Sequence, residues 1–396
     1  MVPAMLPPSL PIPNPLYANE VGTFAEDSVV RRLPEIARRT IAENQLDPHR
    51  MDLMEVLIDE IGTGTLGRVD EPEAADGAAW RRYVDPYLGS TWRDAPWFFV
   101  ETYFYRRVLA ATGYSQPGER HGIDPFAEQK ALALEDSLEL AARLGETLAE
   151  PLALLGASLW SNQVDLSLWP AGEAASETRT RAVLAVGRDA QLLVNDRDSV
   201  LDQLERARSV HFVLDNAGAE LVADLALAAA VLARGARVTL HAKPHPTFVS
   251  DTTLPDLNAT IDRLAATDSA AQHLVEILAA ARSRRALKFT AHPFWVSPLP
   301  FWQCPPDLVS ELRAADLIIV KGDANYRRLL GDRHWEETTP FSSIVRPPAP
   351  LVALRTSKAE VMAGVSQEAI DHARTVDPEW LVNGQWGLIQ YAPAAS

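Results

Sequence analysis

The stretch VHFVLDNAGAELVADLALAAAVLARGARVTLHA, residues 210 to 242, contains the plan of the fold in one unit. VHFVL (210–214) is a short apolar run that stops at Asp215 and Asn216. A long apolar segment follows from Leu221, is interrupted by Asp224 and ends at Arg234, and RVTLH (237–241) begins a second short run. Strand, helix and strand in this order, with strands that are continuously apolar, describe a parallel sheet covered by helices on both faces. The texture recurs at QLLV (191–194), ALKFT (286–290), DLIIV (316–320) and PLVAL (350–354). In such sheets ligands bind beyond the carboxyl ends of the strands, which directs attention to what stands there.

Upstream, from Asp27 to about Leu155, apolar residues recur at three- and four-residue spacing, as in SVVRRLPEIARRTIAE and RMDLMEVLIDEI, and this half reads as helical. Aromatic residues concentrate in positions 80–108, where helical spacing makes them a packing face. The proline-rich first residues read as a disordered or extended lead. The organisation expected is a lead at 1–16, a helical region at 17–155 and an α/β region at 156–396.

With 396 residues, 47% hydrophobic and 23% charged, the chain has the composition of a globular protein of two or three cores. A net charge of −16 is the wrong sign for collecting a phosphate backbone, so nucleic acid is excluded as a partner. Cys304 is the single cysteine and forms no internal disulfide, which fits a cytoplasmic protein. The richest apolar stretch is too interrupted to span a membrane.

Four strand ends carry chemistry. Asp215 and Asn216 follow VHFVL, and Asp251 lies in the loop after RVTLH; two carboxylates and an amide oxygen are hard ligands suited to Mg²⁺ or Mn²⁺. DLIIV runs into KGDANYRRL and PLVAL into RTSK, so Lys321, Arg327, Arg355 and Lys358 supply cations suited to a phosphate. Taken singly, Asp215 with Asn216 and Asp251 with Thr252 are also ordinary helix N-cap residues, and Arg327 and Lys358 could be solvated helix-face charges. Their convergence on one sheet edge is what favours a site. GTGTLG (62–67) matches a dinucleotide fingerprint in form only, because helical spacing precedes it, and it reads as a helix end and loop. NDRDSV (195–200) imitates an aspartyl nucleophile pair, but Asn195 or Asp196 as a helix cap accounts for it.

Read together, GTFAEDSVVRRLP (22–34), WFFVETYFYRR (97–107), SLWSNQVDLSL (158–168), VLDNAGAELVADL (213–225), FVSDTT (248–253), KGDANYRRLLGDRHW (321–335) and RTSK (355–358) resemble the metal-dependent damage-control phosphatases, a family formerly known only as a domain of unknown function. RTSK fits the R-T-x-K tetrapeptide of its sugar-phosphate subfamily, which includes the acidic-residue carboxyl methyltransferase homologue. The resemblance implies a three-layer α/β/α sandwich with a mostly parallel, Rossmann-like sheet and an N-terminal α-helical region. It implies that Asp215, Asn216 and Asp251 bind a divalent metal (Mn²⁺, Co²⁺, Ni²⁺ or Mg²⁺), with Asp323 to Arg327 and Lys358 on a small phosphorylated metabolite such as fructose 1-phosphate or fructose 6-phosphate. In that chemistry Lys321, Arg355 and Lys358 would offset transition-state charge, Asp323 and Asn325 would grip sugar hydroxyls, and Asp251 or Asp323 would activate water. Two rival activities stand beside it: an S-adenosylmethionine-dependent protein carboxyl methyltransferase, with Glu220 and Asp251 as cofactor contacts, and a non-catalytic sugar-phosphate binder.

Overall fold

The computed structural model describes residues 5–69, 71, 74–161 and 188–395. Among these, seven strands, Leu192–Asn195 (β1), Ser209–Val213 (β2), Arg237–Ala242 (β3), Leu287–Ala291 (β4), Leu317–Lys321 (β5), Leu351–Thr356 (β6) and Gly387–Ala392 (β7), form one sheet in the order β1-β7-β6-β5-β2-β3-β4. Six of them coincide with the apolar runs of the sequence to within two residues at each end. The seventh, β7, enters between β1 and β6, parallel to the first and antiparallel to the second. The sheet is therefore mostly parallel, as expected.

Alternation along the strands sorts their side chains into two cores. Val210, Phe212, Leu317, Ile319, Val352 and Leu354 pack with helices Leu138–Glu146, Pro151–Trp160, Ala219–Ala233 and Ala271–Ser283. On the other face Val213, Ile318, Val320, Leu351, Ala353 and Leu388 pack with helices Leu33–Glu43, Pro48–Thr63, Trp97–Thr112, Pro306–Arg313 and Asp323–Leu330. Two helical layers on one sheet make the α/β/α sandwich, and each buried branched or aromatic side chain contributes about 1.5–3 kcal/mol. Helix Ala219–Ala233 is buried on every side from Glu220 to Leu232, which explains why its sequence is apolar without a polar face.

From Met5 onward the first residues are held to the body: Ser9 N–H donates to Ser343 O at 2.8 Å, Leu16 N–H donates to Asp332 O at 3.1 Å, and Met5 and Leu16 are buried. GTGTLG is the end of helix Pro48–Thr63 with Gly64 as its C-cap, as expected. Asp196 is at the start of helix Arg197–Arg206, but its carboxylate accepts from Tyr391 N–H at 2.9 Å, tying β7 in place, and makes no side-chain cap. The segment SLWSNQVDLSL lies outside the described residues beyond Ser161.

Strand order positions the site. From β2 the chain proceeds outward to β3 and β4, whereas β5 and β6 lie on the opposite side of β2. The carboxyl ends of the neighbours β2 and β5 thus flank a topological switch point, where loops diverge and leave a crevice.

The sheet also buries a histidine pair. His211 on β2 and His241 on β3 approach with ring nitrogens 3.0 Å apart, and Trp295 lies edge-on to His241. Burial pushes His211 down to about 4 and His241 well below its ordinary value. Both are neutral in the folded chain, so the unfolded chain binds more protons below about 6.5 and stability falls as pH drops from there toward 4. The fall attributable to His211 is about 2 kcal/mol between pH 7 and pH 4.5. His211→Gln should accordingly lose less stability over that interval than the unsubstituted chain, read from chemical-denaturation midpoints; equal losses would show that the pair does not titrate this way.

Candidate active site

β2 ends at Val213, and the chain that follows pairs with the loop after β3. Thr252 N–H donates to Asp215 O and Ala217 N–H to Ser250 O, each at 2.7 Å, and Asn216 and Asp251 form an antiparallel bridge. This backbone pairing brings Asp215, Asn216 and Asp251 together, all buried. None of the three caps a helix. Helix Ala219–Ala233 starts from Gly218, and helix Leu254–Ala265 is capped by a Thr253–Asp256 capping box. The ordinary explanation of these residues therefore fails on this geometry.

The amide of Asn216 is fixed in orientation: its Oδ1 accepts from Ser250 Oγ at 2.6 Å, and its Nδ2 donates to Glu220 Oε2 at 2.8 Å and Asp215 Oδ2 at 3.3 Å. Just before Ser250, Phe248 and Val249 have φ of 48° and 64°, a left-handed conformation that costs about 1–3 kcal/mol for a side-chain-bearing residue. Packing compensates. Val249 is buried, and the Phe248 ring lies 5.0 Å from Tyr105 and 6.2 Å from Phe98.

The β5 end approaches from the other side of the switch point. Gly322 has φ of 81°, and a Cβ there would sit 1.7 Å from Asp215 Oδ2, so this approach of backbone to carboxylate requires glycine. Asp323 opens the next helix. Its Oδ1 accepts from Arg355 Nε at 2.7 Å and from the Lys358 backbone N–H at 3.2 Å, which folds the RTSK turn onto it. Lys358 is buried in this turn, not solvated in the first turn of a helix.

One pocket collects Asp215, Asn216, Asp251, Asp323, Arg327 and Lys358 of the expected residues. The wall is completed by Phe24, Arg32, Glu101, Tyr105, Phe248 and Ala324. Four expected residues are not on it, for reasons of charge and hydrogen bonding. Lys321 is wholly buried; its ammonium donates to Ser158 O and pairs with Glu220 Oε1 and Asp224 Oδ1, each at 3.3 Å. Burial pulls this lysine down, but the two carboxylates outweigh it and hold it above its ordinary range. Glu220 is occupied by Lys321 and Asn216. Arg355 is consumed by Asp323 and by the carbonyls of Ala359 and Val361. Asn325 spends its amide on Leu214 O at 3.1 Å, Asp215 Oδ1 at 3.3 Å and Lys321 O at 2.8 Å, and is a clip between β2 and β5 with no group turned to a sugar.

Two ionic partners escaped the sequence reading. Lys243, buried, pairs with Asp251 Oδ2 at 3.0 Å and donates to Asn325 Oδ1 at 3.2 Å. Glu101 accepts from Ser28 Oγ at 2.8 Å and pairs with Arg327, whose guanidinium also bonds Asp332 at 2.7 Å and stacks 3.6 Å from the Trp97 ring. A charged residue inside a helix as apolar as WFFVETYFYRR is the signal that should have marked Glu101, since an acid is rarely buried unless paired. Lys243, directly after β3 and before Pro244, gave no comparable signal. Arg32 reaches the wall from a π-helical turn, Ser28–Arg32, a form common at functional sites.

Donor chemistry decides whether a divalent metal suits the pocket. Among the described residues no cluster of three or more His, Cys, Asp or Glu is arranged for a metal. The set at the switch point has two carboxylates and one amide oxygen, which is the pattern of a cation that completes its shell with water and substrate phosphate, and the residues fit Mg²⁺ or a similar hard ion.

A family model described as the damage-control phosphatase ARMT1-like domain matches residues 28–373. A protein of Xenopus laevis named damage-control phosphatase ARMT1 is 32% identical over 438 aligned positions, covering 96% of this chain and 98% of its own. Its Homo sapiens namesake is 31% identical over 445, with the same coverage. The crystal structure of a DUF89 family protein from Pyrococcus horikoshii has the same fold with a TM-score of 0.50 at 14% identity, over 92% of this chain and 97% of that one. The chain belongs to the ARMT1-like family of damage-control phosphatases.

Proposed function

We propose that this chain hydrolyses phosphate monoesters of small sugars, such as fructose 1-phosphate or fructose 6-phosphate, with a divalent cation at Asp215, Asn216 and Asp251 and the phosphoryl group against Lys358. The observation that supports it most is that two buried carboxylates and an amide, spared from helix capping, share one wall with a buried lysine. Mn²⁺, Co²⁺, Ni²⁺ or Mg²⁺ suits such oxygen donors better than zinc alone. When bound, the cation supplies Lewis-acid charge to the phosphoryl group.

The chain's own groups provide binding and orientation. Lys358 opposes the negative charge that spreads over the phosphoryl oxygens in the transition state. Asp323, with Oδ1 taken by Arg355 and Lys358 N–H, retains Oδ2 for a sugar hydroxyl. Arg327 is offset by Glu101 and Asp332 and serves mainly to shape the wall. Lys321, Arg355, Asn325 and Lys243 are positioning residues: each holds a group that faces the pocket or the backbone that carries it. The methyltransferase reading loses support because Glu220 is engaged beneath the pocket by Lys321 and Asn216. The acidic balance argues against a nucleic-acid substrate, and a buried, unpaired Cys304 thiol suits the cytoplasm. Among the described residues no helix is long and apolar enough to cross a membrane.

Lys358→Ala should lower kcat/KM for fructose 1-phosphate at least about tenfold, or about 1.4 kcal/mol, while metal content is retained, because an ammonium is no ligand to a hard cation. Unchanged hydrolysis would remove the RTSK turn from the active site. Asp215→Ala should leave a folded protein whose manganese content, by elemental analysis after dialysis, falls to background; full occupancy would refute the ligand assignment. In a phosphate-release panel the fructose phosphates should exceed nucleoside phosphates, and the reverse order would show that the substrate class is wrong.

A further inference from the structure

A second cleft, of about 670 Å³, lies apart from the phosphate-side pocket, between helix Gly77–Val84 and the turns after β3 and β4. This volume is within the range of small-molecule sites. Its walls are largely apolar and aromatic, with Trp80, Tyr83, Tyr114 and Pro293. One polar corner interrupts them. His245 Nδ1 lies 3.0 Å from Pro246 O, and since a carbonyl only accepts, Nδ1 carries the proton and Nε2 presents a lone pair. Among the described residues that buried Nε2 has no hydrogen-bond partner. Asp76 Oδ2 is 3.8 Å away, in a carboxylate held by Arg106 Nε at 2.8 Å and Nη2 at 3.0 Å. Two acceptors thus face each other with no donor between them. Burial keeps the imidazole below its ordinary pKa, so the ring does not supply the donor itself.

We propose that this cleft is a binding site for a flat aromatic ligand carrying an N–H donor, the ring against Trp80, Tyr83 and Tyr114 and the N–H directed to His245 Nε2 and Asp76. An apolar body satisfies the walls, and only a donor satisfies the corner, because a buried acceptor left unmade costs about 1–3 kcal/mol. An acceptor-only or anionic ligand would be repelled by the Asp76 carboxylate. The site is separate in chemistry from the active site, yet the loop that lines it through Pro244 and His245 continues into Phe248 and Asp251 of the other pocket.

Indole and 1-methylindole are a matched pair of probes that differ in the donor. Isothermal titration of the full chain should give saturable indole binding with Kd at or below about 1 mM, as suits so small a ligand, and at least about tenfold weaker binding of 1-methylindole. His245→Phe keeps an aromatic ring but removes the acceptor, and should bring the two probes to equal affinity; Ala79→Trp, which fills the cleft, should abolish both. Equal binding of the probes to the unsubstituted chain, or indole binding undiminished in both variants, would overturn the proposal. So would the absence of saturable binding in a chain shown to be folded by its thermal transition, since water alone would then satisfy the corner.

Discussion

The Lys321 ammonium, with no exposure to solvent, is the constraint on which the site rests. It is the last residue of β5, and it meets Glu220 and Asp224 of the helix that follows β2, as well as Ser158 O of a second helix. Burial pushes the Asp224 carboxyl up, and Lys321 pulls the other way. Removing one partner from such a cluster typically costs about 3–5 kcal/mol, because a charge is left uncompensated inside the protein. From Glu220 the network continues to Asn216 and Ser250, and so to the two segments whose pairing assembles Asp215 and Asp251. A second branch, Lys243 with Asp251 and Asn325, ties β3 to the helix after β5. The groups that face the pocket are thus oriented by ionic contacts beneath it, and preorganisation of this kind is what electrostatic catalysis requires.

The same principle shows how far the sequence could be read. Strands β1 to β6 were legible because short continuous apolar runs separated by helical spacing have few other interpretations. β7 was not. GLIQYA carries Gln390, whose amide is satisfied only in three dimensions by Tyr326 and Ala363, and its antiparallel pairing with β6 departs from every other pair in the sheet. The residues expected at the site were found at strand ends, where topology brings them to one edge. What a strand end does not reveal is which way a side chain turns. Lys321, Arg355 and Asn325 have the right chemistry and the right address, but carboxylates and carbonyls beneath the pocket occupy them. Lys243 gave no signal and the partner of Glu101 could not be named, since the contacts of Lys243 with Asn325 and of Glu101 with Arg327 join segments far apart in the chain.

The likeness to damage-control phosphatases extends over nearly the whole chain and defines the class of chemistry. The geometry adds which groups line the pocket: Lys358 and Asp323 on the wall, Arg327 balanced by its own carboxylates, and the glycine at 322 that lets backbone approach Asp215. Local strain at Phe248 and Val249 belongs to the same picture, since backbone strain is sustained where the surrounding packing over-determines it.

The central claim is that Asp215, Asn216 and Asp251 form a divalent-cation site. Anomalous diffraction at the manganese edge from crystals grown with Mn²⁺ tests it most directly. The account predicts an anomalous peak within coordination distance of the side-chain oxygens of all three residues, with Lys358 on the same pocket wall. A fully ordered pocket without such a peak, or a manganese ion bound only elsewhere on the chain, would contradict it.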